Sequence, residues 1–324
     1  MSQGSSEFDL IARYFCLGVP SVWDSQGIGD DCAIVKIGET SVAITVDTVA
    51  LGTHFLLDAD PYTVGRKALA VNLSDLAAAG AVPRAFFLAI SLPSADEAWL
   101  KRFSCGLKEE ASRYGCSLLG GDTTRSVMVD GKAASTTMTI TAMGEGNCLR
   151  TRQGAQVGDD IWVSGTLGDA YTALKMRWGH WTESLTDYLA SRMDTPTPRV
   201  ALGQALNGLA TAAADISDGF LADLGHILER SGVGAKINAD AFARSVDLAR
   251  LPLAKQYEAA LTGGDDYELV WTAPRACREQ IAALSTQACP ISRVGEIVEQ
   301  GLAVVDSQNR PVCFERAGFD HFGK

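Results

Sequence analysis

Residues 60–80 read DPYTVGRKALAVNLSDLAAAG. Asp60 supplies an N-cap acid and Pro61 a first-turn proline. Gly80, followed by Pro83, closes the segment, so the stretch predicts a helix over 62–79 that is apolar almost all round. Val64, Ala68, Val71, Asp75 and Ala78 share the i, i+4, i+7 register of one face, which places Asp75 inside an apolar stripe. A lone buried carboxylate costs several kcal/mol, so Asp75 has to be protonated or neutralised. A cation is one such partner; Lys67 or Arg66 is another.

Three further acids in the first 125 residues stand at strand ends or glycine turns: Asp30 in Gly27-Ile28-Gly29-Asp30-Asp31, Asp47 in Thr45-Val46-Asp47-Thr48, and Asp122 in Gly120-Gly121-Asp122-Thr123-Thr124. Oxygen ligands in such settings suit a hard cation, and Mg²⁺ shares its ligands with substrate phosphates. Gly264-Asp265 and Asp215-Ile216-Ser217-Asp218-Gly219 extend the pattern into the second half. The latter segment precedes a predicted helix, so Ser217 or Asp218 reads either as an N-cap or as part of a phosphate and metal site at a positive helix end. No G-x-x-x-x-G-K-[ST] loop occurs, and Gly144-Glu145-Gly146 does not continue as G-x-G-x-x-G.

The chain has 324 residues, enough for two domains, and 47% apolar content supplies both with a core. A net charge of −11 argues against nucleic acid or an anionic membrane as partner. Eight singly scattered cysteines read as reduced, mostly buried thiols of a cytoplasmic protein. The sequence shows neither a secretory signal nor a membrane span. Besides the helix above, helices are expected at Glu7–Phe15, Ala95–Tyr114, Leu167–Trp178, Pro198–Leu209 and Gly219–Ser231. Strands are expected at Cys32–Ile37, Ser41–Asp47, Ala85–Ser91, Ser117–Leu119, Thr136–Gly144, Ile161–Val163, Ala212–Ile216 and Tyr267–Thr272. A boundary near 145–155 divides residues 1–150 from 151–324, each an α/β or α+β unit.

Gly27 to Ala33, Thr45 to Thr48, Gly52-Thr53-His54-Phe55, Lys67 to Ala78, Gly120 to Thr124, Asp215 to Gly219, Gly263-Gly264-Asp265-Asp266-Tyr267-Glu268-Leu269 and Gly318-Phe319-Asp320-His321-Phe322 together resemble the signatures of bacterial thiamine-monophosphate kinases, nearly end to end. The resemblance implies the two-domain fold of the aminoimidazole ribonucleotide synthetase superfamily: an N-terminal domain whose strands pair across a homodimer into a β-barrel, and a C-terminal α/β domain. It implies ATP-dependent phosphorylation of thiamine monophosphate, with ATP as donor, several Mg²⁺ ions and K⁺ as a further candidate. By the same resemblance Asp30, Thr45, Val46 through its carbonyl, Asp47, Asp75, Asp122, Asp215 and Asp218 hold metal. Gly121, Asp122, Arg152 and Ser217 meet ATP, and His54, Asp265 or Glu268, and Phe319 meet the acceptor.

Two departures stand out: Asp265 replaces the family's usual Glu, and Ser104 and Cys105 stand where an aromatic is common. The acceptor is a phosphate monoester with a second pKa near 6, so no general base is expected. The alternatives are another ATP-dependent enzyme of the superfamily, aminoimidazole ribonucleotide synthetase-like, and a non-catalytic divalent-cation-binding protein.

Overall fold

The structure is a computed structural model that describes residues 10–16, 25–26, 28–126, 135–314 and 318–319. Two six-stranded sheets carry the fold. The first holds β1 (Ser25–Gln26), β2 (Ala33–Ile37), β3 (Thr40–Ala50), β4 (Val82–Leu92), β5 (Ser117–Arg125) and β6 (Thr137–Gly146), ordered β1-β2-β3-β6-β4-β5. The second holds β7 (Asp160–Ser164), β8 (Ala212–Ile216), β9 (Gly234–Asn238), β10 (Glu268–Ala273), β11 (Ile291–Val298) and β12 (Leu302–Val305), ordered β12-β9-β11-β7-β10-β8. Both sheets are mixed, with β4–β5 and β9–β12 parallel and the remaining pairs antiparallel.

Helix α1 (Pro61–Ala78) explains the arrangement. The Asp60 carboxylate accepts the Tyr62 N–H, and every residue from Lys67 to Ala78 is buried. A helix without a polar face must be covered on all sides. One flank packs on β3 and β6 and another on β8 and β10, so Leu69, Leu73, Leu76, Ile140, Ala213 and Trp271 share one core. Helix α2 (Glu97–Tyr114) covers a third flank, crossing where Gly65 meets the Phe103 carbonyl and Gly106 the Tyr62 carbonyl. A second core lies under α6 (Phe220–Ser231), with Phe220, Leu224, Ile227 and Ile237 at its centre. Between these come α3 (Asp169–Arg177), α4 (Asp187–Asp194) and α5 (Val200–Ala205).

Several expectations need correction. Asp47 does not end its strand; β3 runs on to Ala50 because Thr48 and Val49 keep pairing with Thr139 and Met138. Strand β5 passes through Gly120-Gly121-Asp122 to Arg125, since glycine lets the chain lie against the β4 backbone. The 198–209 helix shrinks to Val200–Ala205. Of the cysteines only Cys32 and Cys116 are buried, whereas Cys16, Cys105, Cys148 and Cys313 are exposed; Cys105 falls beside the Phe103, Gly106 and Leu107 stripe of α2. The N-terminal helix is described only as one π-type turn, Ile11–Phe15; Glu7 and Phe8, like Gly27 and Asp320 to Phe322, lie outside the described residues. Among the described residues no helix is long and apolar enough to cross a membrane.

Candidate active site

Asp75 projects from the last turn of α1 toward β3. There the Thr45 hydroxyl donates to its Oδ2, and Asp47, two residues on along the same face, hydrogen-bonds the same carboxyl. Asn72 fixes β3 from the helix side by accepting the Asp47 N–H at 3.2 Å. Asp215 enters from the end of β8 and Asp31 from the turn before β2, so ligand atoms of Asp31, Asp75 and Asp215 lie within 4.8 Å of one another.

That turn is clamped from the second half. The Arg152 N–H donates to Asp30 at 2.9 Å, and its guanidinium to Asp31 at 3.0 and 2.5 Å. Arg230 donates to the carbonyls of Gly29, at 3.1 Å, and Ile28. Gly29 has φ +102°, a backbone conformation that favours glycine, and a side chain there would have to displace the Arg230 guanidinium.

Crowding acids in a dry place raises their proton affinity. Burial, then the charges of Asp47, Asp215 and Asp31, pushes Asp75 well above the carboxylate range; burial and Asp31 do the same to Asp215. Burial and Asp31 lift Asp30 to about 6, and burial lifts Asp47 to about 6. Asp31 rises through burial against the pull of Arg152. Such a group is discharged by protons or by a cation, and an all-oxygen donor set of this charge fits a hard divalent ion. Lys67 and Arg66 do not neutralise Asp75: Lys67 pairs with Asp265 at 2.5 Å and Arg66 with Glu110 at 2.8 Å.

Two loops border the cluster. In Asp215 to Gly219, the buried Asp223 accepts the N–H groups of Ser217, Asp218 and Gly219 at 3.1, 3.2 and 3.1 Å, which fixes the turn at the start of α6. The Phe319 N–H donates to the Asp218 carbonyl at 2.9 Å, bringing that exposed ring to the same loop. In Gly263 to Glu268, the N–H groups of Asp265 and Tyr267 donate to the carbonyls of Ser217 and Ile216 at 2.7 and 2.9 Å. Glu268 is wholly buried, its carboxylate committed to Ser164, Arg192 and Arg199 at 2.6, 2.9 and 2.6 Å. Of the two acids the sequence left open, Asp265 is thus the one with its side chain partly exposed.

His54 sits on the loop after β3. The Ala50 N–H donates to its Nδ1 at 3.1 Å, which leaves Nε2 to carry the proton of the neutral ring and makes it a donor. Val46 and Asp122 stand apart from the cluster: Val46 is exposed on the outer face of β3, and Asp122 is exposed on the edge strand β5, opposite Ala89. Ser104 and Cys105 are exposed on α2. The sequence reading missed Asp31 and Asp223 as site residues. Asp31 had a signal as the second acid of a pair; Asp223 had one as an acid in the first turn of a helix, facing a glycine loop.

Family models described as the N-terminal and C-terminal domains of AIR synthase related protein match residues 29–145 and 156–307. A thiamine-monophosphate kinase of Salmonella typhimurium is 42% identical over 328 residues, covering 98% of each chain. The chain belongs to the thiamine-monophosphate kinase family. The kinase of Haemophilus influenzae is 41% identical at the same coverage. Among solved structures of the family, the thiamine-monophosphate kinase of Stenotrophomonas maltophilia K279a superposes with TM-score 0.77 at 40% identity, over 94% of this chain and 98% of that one. A structure described as AaThiL complexed with AMPPCP and TMP gives TM-score 0.82 at 29% identity, over 98% and 97%.

Proposed function

We propose that the chain transfers the γ-phosphoryl group of ATP directly to thiamine monophosphate, giving thiamine diphosphate and ADP. The observation that carries this reading is the convergence of Asp31, Asp75 and Asp215, with Asp30, Asp47 and Thr45 beside them, at the junction of the two sheets. Family membership supports it, as does the relative whose structure holds an ATP analogue and TMP.

An oxygen of the acceptor phosphate forms a bond to the γ-phosphorus in line with the breaking bond to the β-phosphate oxygen, and ADP leaves. The obstacle is repulsion between two polyanions, since unit charges 4 Å apart interact by roughly 4 kcal/mol at an effective dielectric of 20. Asp30, Asp31, Asp47, Asp75 and Asp215 would hold Mg²⁺, with Asp218 near the phosphates. Bound Mg²⁺ supplies neutralisation of phosphate charge and alignment of the reacting groups. Arg152 and the Ser217 hydroxyl orient the nucleotide, while His54, Asp265 and Phe319 meet the acceptor. With the nucleophile already ionised, no side chain has to take a proton.

The segment 1–150 would also supply the dimer contact. Val46, Thr141 and Phe87 lie side by side in register on the face of the first sheet opposite α1, and Val46 and Phe87 are exposed. A second copy stacked there would bury this apolar face. The reading is tested by coupling ADP release to NADH oxidation with Mg²⁺-ATP and either thiamine monophosphate or free thiamine. ADP release is expected only with the monophosphate; equal release with free thiamine, or release independent of any acceptor, overturns it.

A further inference from the structure

We propose that Lys67 is a positioning residue for the acceptor: it holds the Asp265 carboxylate at the edge of the acid cluster, oriented to accept a hydrogen bond from the amino-bearing organic part of the substrate. This rests on the phosphoryl-transfer reading above.

Lys67 is 3% exposed, and its ammonium is a poor guest in a core unless a carboxylate meets it. That carboxylate comes from the other half of the chain: Nζ lies 2.5 Å from Asp265 Oδ2. Lys67 stands about two turns before Asp75 on α1. The ion pair therefore sets Asp265 relative to one wall of the cluster. The other wall sets it through the backbone, because the Asp265 N–H is held by Ser217 and a side chain at Gly264 would strike the Ser217 carbonyl at 2.4 Å. Asp265 is thus fixed against both Asp75 and Asp215.

The loop also carries strain. Asp265 has φ +73° and Tyr267 φ +52°, left-handed conformations that residues with side chains adopt at a cost and keep only when the surroundings hold them. Lys67 is one of the holding groups, and the Tyr267 hydroxyl is another, since it hydrogen-bonds Asp265 and lies in the field of Asp47 and Asp215. Lys67 is sealed while the Asp265 side chain remains 26% exposed. A carboxylate offers about four lone-pair positions, so one bound to an ammonium and a hydroxyl still has acceptor capacity for a substrate N–H. The charge of Lys67 is meanwhile committed to Asp265 rather than offered to a phosphate.

Steady-state kinetics of Lys67→Met, Asp265→Asn, the double variant and Lys67→Arg test the assignment, with calorimetric binding of a Mg²⁺-loaded non-hydrolysable ATP analogue alongside. Lys67→Met is expected to raise KM for thiamine monophosphate about tenfold while kcat, KM for ATP and analogue binding stay within about twofold. Asp265→Asn should do the same, the double variant should be no worse than the worse single, and Lys67→Arg should recover part of the loss. A fall in kcat at unchanged KM would show that the ammonium acts on the transferred group, and multiplicative effects in the double variant would show that the two residues act separately; either overturns the proposal, as does an unchanged KM. If Lys67→Met fails to fold by circular dichroism, Asp265→Asn and Lys67→Arg decide it by the same KM-against-kcat split. A wild-type enzyme that releases no ADP with thiamine monophosphate sinks the functional reading itself, whereas an active wild type with indifferent variants sinks only the role of Lys67.

Discussion

Asp75 is 8% exposed and faces three other acids, so its charge works against the metal-free fold and for the proposed chemistry. Asp75→Asn keeps the shape and removes a repelling charge. It should cut kcat by at least about a hundredfold while leaving the melting temperature in EDTA unchanged or higher; near-normal turnover would remove Asp75 from the site. His226 makes a second residue-scale case. Burial, then Arg152 and Arg230, lowers its pKa to about 4 from an unfolded value of 6.5. Between those values the unfolded chain binds a proton that the folded one refuses, so stability is full above pH 6.5 and declines toward pH 4. The loss by pH 5 should be roughly 1–2 kcal/mol, and urea melts at pH 7 and pH 5 should show it in the wild type and not in His226→Gln. At this scale the sequence was legible where an acid stood in an apolar frame, as Asp75 does among Val71, Leu76 and Ala78. In Asp30-Asp31 nothing local says which acid turns inward; Arg152, more than a hundred residues away, decides that.

Among the elements, α1 was readable because its cap, proline and closing glycine all agree with its apolar run. Strands β9, β11 and β12 were not. A bulge between Arg293 and Gly295 breaks the alternation of β11, and β12 is a short strand with two of its four residues exposed. Pairing with a distant partner makes these segments strands, and propensity does not report partners. The α1–α2 crossing is read from contacts alone. A Cβ on Gly106 would lie 1.9 Å from the Tyr62 carbonyl, and one on Gly65 2.1 Å from that of Phe103. Gly106→Ala should therefore destabilise by about 1–3 kcal/mol despite its better helix propensity, measurable by urea denaturation. An unchanged midpoint would mean that the helices separate at little cost.

The whole molecule is assembled around α1, and Arg150 fastens the end of that helix. From the link between the sheets it donates to the carbonyls of Ala78 and Gly203 at 3.2 and 2.7 Å and to Asn207 at 2.6 Å. Burial draws its pKa down to about 10. Arg150→Met leaves those acceptors dry and unpaired, and a loss of about 2–4 kcal/mol is expected in denaturant melts; a loss under about 0.5 kcal/mol would mean that water replaces the guanidinium. If the outer face of the first sheet is the dimer contact, Val46→Lys should yield a monomer in sedimentation velocity, and a dimer that persists would place the contact elsewhere. The two-unit α/β plan was legible because two runs of alternating elements lie on either side of the glycine-rich stretch near 145–155. The sandwiching of α1 was not, since no local pattern records which distant strands will cover a helix.

Because Asp31 and Asp75 belong to the first half of the chain and Asp215 to the second, the cage closes only when the two halves meet, and a half-collapsed polypeptide offers an ion only part of it. On the proposed reading magnesium is then a late arrival, a bolt driven after the door is hung. In stopped-flow experiments it should slow unfolding and leave the refolding rate untouched.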